Sequence, residues 1–250
     1  MSPRFIRYYG YTVMGILALL IVEALCCQHV HAKEKLTYDV IVMNADVAKA
    51  VMVYKTDKHR GKKVLKLFGT LETKENWGEI YSLHHKMASV VAANDFPISS
   101  SMEFNKNTNK RLYTLQFGPK GIGGSKKIND KKEKPISART KFPTHDLLSW
   151  VNYLRNMEYE VGKPFKLKVF SGNRFYNVDC IVIQIEDVWT RAGIIPAYKI
   201  DALVTRRDKR KKKFKKKINV WVSTDERKLP LKMIFKLTLS EIRVILSEVS

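Results

Sequence analysis

The chain has 250 residues, of which 46 are lysine or arginine and 24 are aspartate or glutamate, so its formal net charge is +22. A hydrophobic fraction of 45% is ordinary for a globular protein, and the length suffices for one large domain or two small ones with a sizeable core. Three cysteines do not make a disulfide framework. The charge predicts attraction to anionic partners such as lipid headgroups, anionic polysaccharide or nucleic acid.

Residues 1–32 have the features of a signal peptide. Arg4 and Arg7 give a positive start, and Val13–Val22 is an apolar core of the right length. Val30–Ala32 fits the small-residue cleavage pattern, so we expect the mature protein to begin at or near Lys33. This predicts an exported protein, in the periplasm or at the outer-membrane periphery of a Gram-negative bacterium.

Two alternatives stay open for this segment. If it is not cleaved, it would anchor the protein to the inner membrane, although the apolar run is short for a span and Glu23 interrupts it. Cys26 and Cys27 suggest lipidation, although neither follows a small residue. Cleavage would leave Cys180 as the one cysteine, and its alternating surroundings predict a buried thiol. An export signal without disulfides favours a bacterial envelope protein.

The first half of the mature chain has the pattern of β-strands. Leu36–Val42 alternates apolar and polar side chains, as a half-buried strand does. Gly61 can adopt the left-handed conformation that a turn after Asp57 requires. Further strands are predicted at Lys49–Tyr54, Lys63–Glu72, Met87–Ala93, Ser99–Asn105 and Arg111–Phe117. Residues 118–141 are rich in Gly, Ser and Lys, and this composition predicts a mobile loop.

One amphipathic helix is predicted at about residues 145–159. Leu147, Val151 and Leu154 recur at helical spacing, and the helix is apolar over more than half its circumference. Such a helix is usually packed on two sides. Thr144 is the predicted N-cap, and Asp146 suits the positive end of the helix dipole.

Strand patterns return after the helix. The predicted strands are Phe165–Val169, Phe175–Glu186, Ile194–Thr205, Ile218–Thr224, Leu231–Leu237 and Glu241–Val249. About ten strands with short turns and one helix predict a mainly β fold, either an antiparallel barrel or a strongly curved sheet. We expect residues 33–250 to form a single β-rich domain.

Residues 206–217 are a highly basic run between two predicted strands. Only Asp208 is acidic, so the run is expected to form the tip of a long hairpin that either is simply solvated or binds an anion. The candidate anion-binding residues are Arg206, Arg207, Lys209, Arg210, Lys211, Lys212, Lys213, Lys215, Lys216 and Lys217. Phe214 could add an apolar contact.

Candidate chemistry beyond this run is sparse. His84 and His85 are adjacent, so on a strand they point to opposite faces and do not share one metal easily. No serine lies in the Gly-x-Ser-x-Gly turn of a nucleophile elbow. The sequence contains no other catalytic signature and no metal-ligand spacing, and it implies no cofactor. The helix region suggests a pocket formed by Asp146, Trp150, Tyr153, Arg155 and Trp221.

Several segments resemble a bacterial domain-of-unknown-function family numbered 3108. They are Leu36–Val40, Asp146–Trp150, Tyr153–Arg155, Val161 with Gly162, Thr190 with Gly193, Val220–Asp225 and Leu229–Leu231. The chain departs from the family pattern at Asn44–Asp46, where glycines are common, and in its more basic run at 206–217. The resemblance implies an exported, barrel-like envelope protein, and it implies no activity.

Three functions follow as hypotheses. The first is a non-enzymatic periplasmic barrel that binds a lipid, glycolipid, lipopolysaccharide or other anionic envelope component such as polysaccharide. The second is a structural or assembly factor with an envelope protein partner, and the third is a hydrolase. An apolar cavity would favour the first, an exposed apolar strand edge the second, and converging carboxylates or histidines the third. The export signal argues against nucleic acid as the partner.

Overall fold

A computed structural model describes residues 33–78, 82–140, 143–207, 213–237 and 240–250. Lys33–Ser250 form one compact unit. The predicted signal peptide lies outside the described residues. No helix within the described residues is long and apolar enough to span a membrane.

Fourteen strands form one antiparallel sheet. The strands are β1 (Lys33–Val42), β2 (Ala45–His59), β3 (Lys62–Thr73), β4 (Leu83–Val91), β5 (Pro97–Lys106), β6 (Asn109–Gly118), β7 (Gly121–Ile128), β8 (Lys134–Arg139), β9 (Pro164–Ser171), β10 (Arg174–Thr190), β11 (Gly193–Arg207), β12 (Lys213–Ser223), β13 (Pro230–Lys236) and β14 (Glu241–Val249). Two helices accompany them, α1 (Glu75–Gly78) and α2 (Ser149–Asn156).

The sheet consists of two meanders, a first one of β1 to β8 and a second one of β9 to β14, which are joined at the centre of the sheet. Its strand order is β8-β7-β6-β5-β4-β3-β2-β1-β14-β13-β12-β11-β10-β9, so the first strand of the domain pairs with the last. β8 and β9 are the two edges, and the described residues form no pairing between them. The predicted mainly β fold with a curved antiparallel sheet is therefore confirmed, as an open sheet rather than a closed barrel and with more strands than the sequence indicated.

The segment before α2 covers one of these edges. The amide of His145 donates to Lys168 O at 2.8 Å, and the amide of Phe170 donates to His145 O at 2.8 Å. These bonds satisfy backbone groups on the outer side of β9 that would otherwise be open for pairing.

The prediction of a loop at residues 118–141 is wrong, because β7 and β8 occupy most of this segment. Ile122 and Ile136 point into an apolar cluster with Phe170. Gly124 has φ of 151°, and a Cβ there would lie 2.0 Å from Thr114 O, so a residue with a side chain could not keep this backbone position. Gly124, one of the glycines that suggested a loop, is thus a requirement of close strand pairing.

Helix α2 is shorter than predicted, and Thr144 does not cap it. Asp146 accepts hydrogen bonds from the amides of Leu148 and Ser149, at 2.8 Å each, and Ser149 Oγ accepts one from the amide of Asp146 at 2.9 Å. This reciprocal arrangement satisfies free donors at the helix start. At the other end, Met157 is extended, with φ of −81° and ψ of 148°.

The helix packs against both meanders. Val151 and the preceding Leu148 join a buried cluster with residues of β1 to β4, and Leu154 joins another with residues of β9 to β12. Gly69 of β3 lies so close that a Cβ would be 2.9 Å from Leu148 Cδ2. The prediction of a helix packed on two sides is therefore confirmed.

The distal part of the β10–β11 hairpin, residues 184–199, forms an arm that lies against β1. Arg191 Nε is 2.8 Å from Asp39 Oδ2, and Arg191 Nη2 is 3.4 Å from Asp46 Oδ2. Asp39 is 5% exposed although it lies on the opposite face of β1 from Tyr38, which faces the core. The arm thus accounts for a strand that is buried on both faces.

Candidate ligand-binding site

An open cavity of about 510 Å³ lies between α2 and the second meander. Its walls are mostly apolar side chains of β9 to β14 and of the helix region. The lining residues are Leu147, Trp150, Val169, Ser171, Tyr176, Val178, Ala202, Val204, Phe214, Lys216, Lys217, Ile218, Phe235, Lys236, Leu237 and Ile242. Its volume falls within the range of about 300–1,000 Å³ that is usual for ligand sites.

Lysines supply the charge of this cavity. Lys216, Lys217 and Lys236 line it, and Lys217 and Lys236 are exposed to solvent. The described lining contains neither aspartate nor glutamate. A ligand with an apolar body and an anionic group would therefore meet matching surroundings.

An arginine stacked on two aromatic rings lies beside the cavity. The guanidinium carbon of Arg206 is 5.3 Å from the ring centroid of Tyr176 and 5.0 Å from that of Phe214. Arg206 Nη1 also donates to Tyr176 Oη at 2.9 Å. These contacts fix the position of Phe214, which the sequence suggested only as an added apolar contact.

The described remainder of the basic run lies on β11, which ends at Arg207, and on β12, which begins at Lys213. Arg207 pairs with Lys213 through the backbone, and Lys215 is exposed. Lys209, Arg210, Lys211 and Lys212 lie outside the described residues. Anion binding by this run stays a prediction.

The five residues suggested as one pocket do not meet around one cavity. Trp150 lines the apolar cavity, whereas Tyr153 lines a second one of about 600 Å³ on the other side of the covered edge of β9. Asp146 is 1% exposed and is used at the start of α2. The second cavity is lined largely by polar side chains, among them Lys166 and Asp179.

Arg155 belongs to a buried ion cluster instead. Its Nη1 lies 2.5 Å from Glu34 Oε2, and Arg227 Nη2 lies 2.9 Å from Glu34 Oε1. Burial acts to raise the pKa of Glu34, but the hydrogen bonds from both arginines outweigh it and hold the pKa below its ordinary value. The guanidinium also stacks over Tyr54 at 4.5 Å, so the cluster ties α2 to β1 and β2.

Trp221 is buried, at 5% exposure, on a face of β12 away from the cavity. Its Nε1 donates to Glu186 Oε1 at 2.7 Å, and the ammonium groups of Lys199 and Lys232 lie 5.5 and 4.9 Å from its ring centroid. The indole therefore holds the arm against the sheet.

Metal ligands and a thiol are two further features of the described part of the chain that bear on its chemistry. No set of three histidine, cysteine, aspartate or glutamate side chains there is arranged to hold a metal ion. Cys180 is buried, as predicted, and burial raises the pKa of its thiol to about 12. The cavity with its lysines is thus the best-developed site for a ligand.

Comparison with known proteins supports the resemblance seen in the sequence. The model of a family described as "Protein of unknown function (DUF3108)" matches residues 37–247. The chain belongs to this family. No curated protein shows a significant match.

One of the similar solved structures agrees with the β-rich fold. A β-barrel-like protein of the DUF1849 family from Brucella abortus is similar with a TM-score of 0.56 and 10% sequence identity, covering 88% of this chain and 97% of the other. A protein from Bacteroides fragilis, described as exported with a YmcC-like fold, has a TM-score of 0.39 and 8% identity, over 87% and 95% of the two chains. A Parabacteroides distasonis protein described as a lipoprotein has a TM-score of 0.38 and 8% identity, over 87% and 94%.

Sequence reasoning missed two parts of the site in this member of the DUF3108 family. Lys236 lies within the predicted strand Leu231–Leu237, but it reaches the cavity only because β13 pairs with β12. Tyr176 lies in a predicted strand, but its contact with Arg206 depends on a pairing that the sequence does not specify. Alternation along β10 did indicate that Tyr176 shares a face with Val178.

Proposed function

We propose that the protein is a non-enzymatic envelope protein that binds one amphiphile, such as a lipid or glycolipid. The apolar part of the ligand would lie in the cavity against Trp150, Val178 and Val204. Its anionic group would lie at the opening, beside Lys217 and Lys236. The observation that carries this proposal is an apolar cavity whose charged lining residues are all lysines.

The energetics favour such a ligand. Transfer of a methylene from water to an apolar site contributes about 0.8 kcal/mol, so a long acyl chain has a large driving force. Each lysine near an anionic group adds less, because water and salt screen its charge. The apolar walls would therefore set affinity, and the lysines would select the headgroup.

Export to the envelope is part of the proposal. The charged start, apolar core and small-residue end of residues 1–32 support it. We expect mature protein from the native cell to begin at or near Lys33. An intact Met1 in that protein would contradict cleavage.

The decisive experiment compares hexadecanoate with hexadecanol in binding to purified protein. Val204→Trp should fill part of the cavity and abolish binding of both ligands. Ile183→Trp adds similar volume on an exposed part of β10, so it should leave binding unchanged. Replacing Lys216, Lys217 and Lys236 by glutamine should weaken hexadecanoate and spare hexadecanol.

Two results would contradict the proposal. One is binding of neither ligand, together with protein from native envelopes that carries no lipid in native mass spectrometry. The other is full binding by Val204→Trp.

A second function, as a structural or assembly factor, has its own observation. β9 pairs with β10 only as far as Ile181, and Ile183 and Ile185 beyond it are 40% and 52% exposed. An apolar strand edge of this kind suits an envelope protein partner. A photo-crosslinker at residue 185 should then give one discrete adduct in cells, which Ile183→Lys should remove and Phe68→Lys should not.

A further inference from the structure

Three exposed apolar side chains lie at two neighbouring turns. Met43, Ile194 and Trp189 are 73%, 68% and 65% exposed, more than any other large apolar side chain among the described residues. Met43 is in the β1–β2 turn. Trp189 and Ile194 are paired across the tip of the arm.

Ion pairs bring these two turns together. Arg191, at the arm tip, contacts Asp46 at 3.4 Å, and Asp46 follows shortly after the turn that holds Met43. Lys74 also pairs with Asp46, at 2.5 Å. The acidic groups between the turns are therefore neutralised, and what the turns present outward is apolar.

The β1–β2 turn lies at the same end of the sheet as an opening of the cavity. Val42 pairs with Ile242, and Lys236 pairs with Glu241, so the β1–β2 and β13–β14 turns are at one end. Leu237 of the second turn is 44% exposed and lines the cavity. The apolar group thus continues toward the place where a ligand would enter.

We propose that this end of the protein docks on an anionic lipid bilayer, with Trp189 and Ile194 entering the headgroup region. Tryptophan suits that region because its ring is apolar and its N–H is polar. Exposed Lys217 and Lys236 lie at the same end, and the net charge of +22 adds long-range attraction to anionic lipid. The inference rests on the proposed function for its purpose, since the bilayer would be the source of the amphiphile, but the docking surface is separate from the cavity.

Fluorescence of Trp189 provides the test. Trp150 lines the cavity and is replaced by phenylalanine in the protein used here, so that lipid in the cavity does not change the signal. Trp77 is half-buried and Trp221 is buried, so a change in emission on docking reports on Trp189. Residues 33–250, which form one compact unit, are mixed with phosphatidylglycerol or phosphatidylcholine vesicles. We expect a blue shift and quenching by brominated acyl chains with phosphatidylglycerol, and a much weaker response with phosphatidylcholine.

Variants separate the arm tip from the lysines. Trp189→Ser with Ile194→Ser should lower partitioning into phosphatidylglycerol vesicles by about tenfold or more, because two apolar side chains no longer leave water. A control pair, Phe68→Ser with Val161→Ser, removes side chains that are 43% and 51% exposed elsewhere and should leave partitioning unchanged. Thermal melts of all variants should match, since every site is exposed.

Several outcomes would overturn the proposal. These are an unshifted Trp189 emission, equal partitioning of the tip variant and the wild type, or self-association of the protein through Trp189 in place of vesicle binding. Val204→Trp should still dock on vesicles. Loss of hexadecanoate binding with docking intact, or the reverse, distinguishes failure of this inference from failure of the proposed function.

Discussion

At the scale of the residue, the covered edge of β9 holds a buried histidine that packs against two aromatic rings. His145 is 2% exposed, and its ring centroid lies 4.7 Å from those of Phe96 and Tyr153. Burial lowers the pKa of His145 to about 4. The neighbouring Asp146 has its pKa raised by burial, and Asp95, which hydrogen-bonds Asn152, is affected in the same way.

Acid should therefore weaken the fold through His145. Between pH 6.5 and pH 4 the unfolded chain takes up a proton that the folded chain does not, so stability falls as pH falls in this window. From pH 7.5 to 4.5 the loss should be about 2–3 kcal/mol. Denaturant unfolding of the wild type and of His145→Gln at several pH values measures this loss. Asp95, Asp146 and Glu34 are present in both proteins, so the difference between the two reports on His145. Identical pH slopes for the two proteins would contradict the assignment.

Leu154 shows what helical spacing can predict. Its burial follows from its position on the apolar stripe, and it is 1% exposed in the structure. Leu154→Ala should lower the free energy of unfolding by about 2–5 kcal/mol, because the cavity it leaves is enclosed by β9 to β12. Ile185→Ala, at an exposed position, should cost less than about 0.5 kcal/mol in the same melts. A similar small loss for both would mean that the helix repacks freely.

At the scale of the element, alternation was a good guide to strands but a poor guide to their ends. β7 was missed in part because Gly124 has no side chain and so does not contribute to an alternation of apolar and polar residues. The pocket that the sequence suggested around Asp146, Arg155 and Trp221 does not form in the structure. The positions of these residues depend on long-range packing, which local patterns do not show. The arm was missed for the same reason: sequence shows a long hairpin but not that Arg191 reaches Asp39.

The basic run at residues 206–217 is expected to contribute charge rather than stability. Like charges on neighbouring strands repel, so replacing Lys211, Lys212, Lys213, Lys215, Lys216 and Lys217 by glutamine should leave the melting temperature unchanged or raise it. The same change should weaken binding to anionic vesicles or lipopolysaccharide, and wild-type binding should fall steeply with added salt. Co-sedimentation at low and high salt measures this. Equal sedimentation of both proteins at low salt would mean that the basic run is simply solvated and does not bind the anionic partner.

At the scale of the whole molecule, composition and pattern led to the correct fold class. Periodicity and a single amphipathic helix sufficed for a curved antiparallel sheet, because few other arrangements bury that helix. The strand order did not follow from pattern. Nothing in the alternation of Leu36–Val42 shows that β1 pairs with β14 rather than only with its neighbour in sequence.

That central pairing also determines when the molecule can fold. Leu36 pairs with Val249, so the middle of the sheet forms only after nearly the whole domain has been synthesised. Closing so long a loop is entropically unfavourable until other contacts compensate, which makes a late and slow final step. If the protein is exported as proposed, the chain that emerges from the ribosome cannot complete its sheet until the last strand has been synthesised, and it stays competent for translocation until then. The strand order would thus delay folding and favour translocation of the unfolded chain.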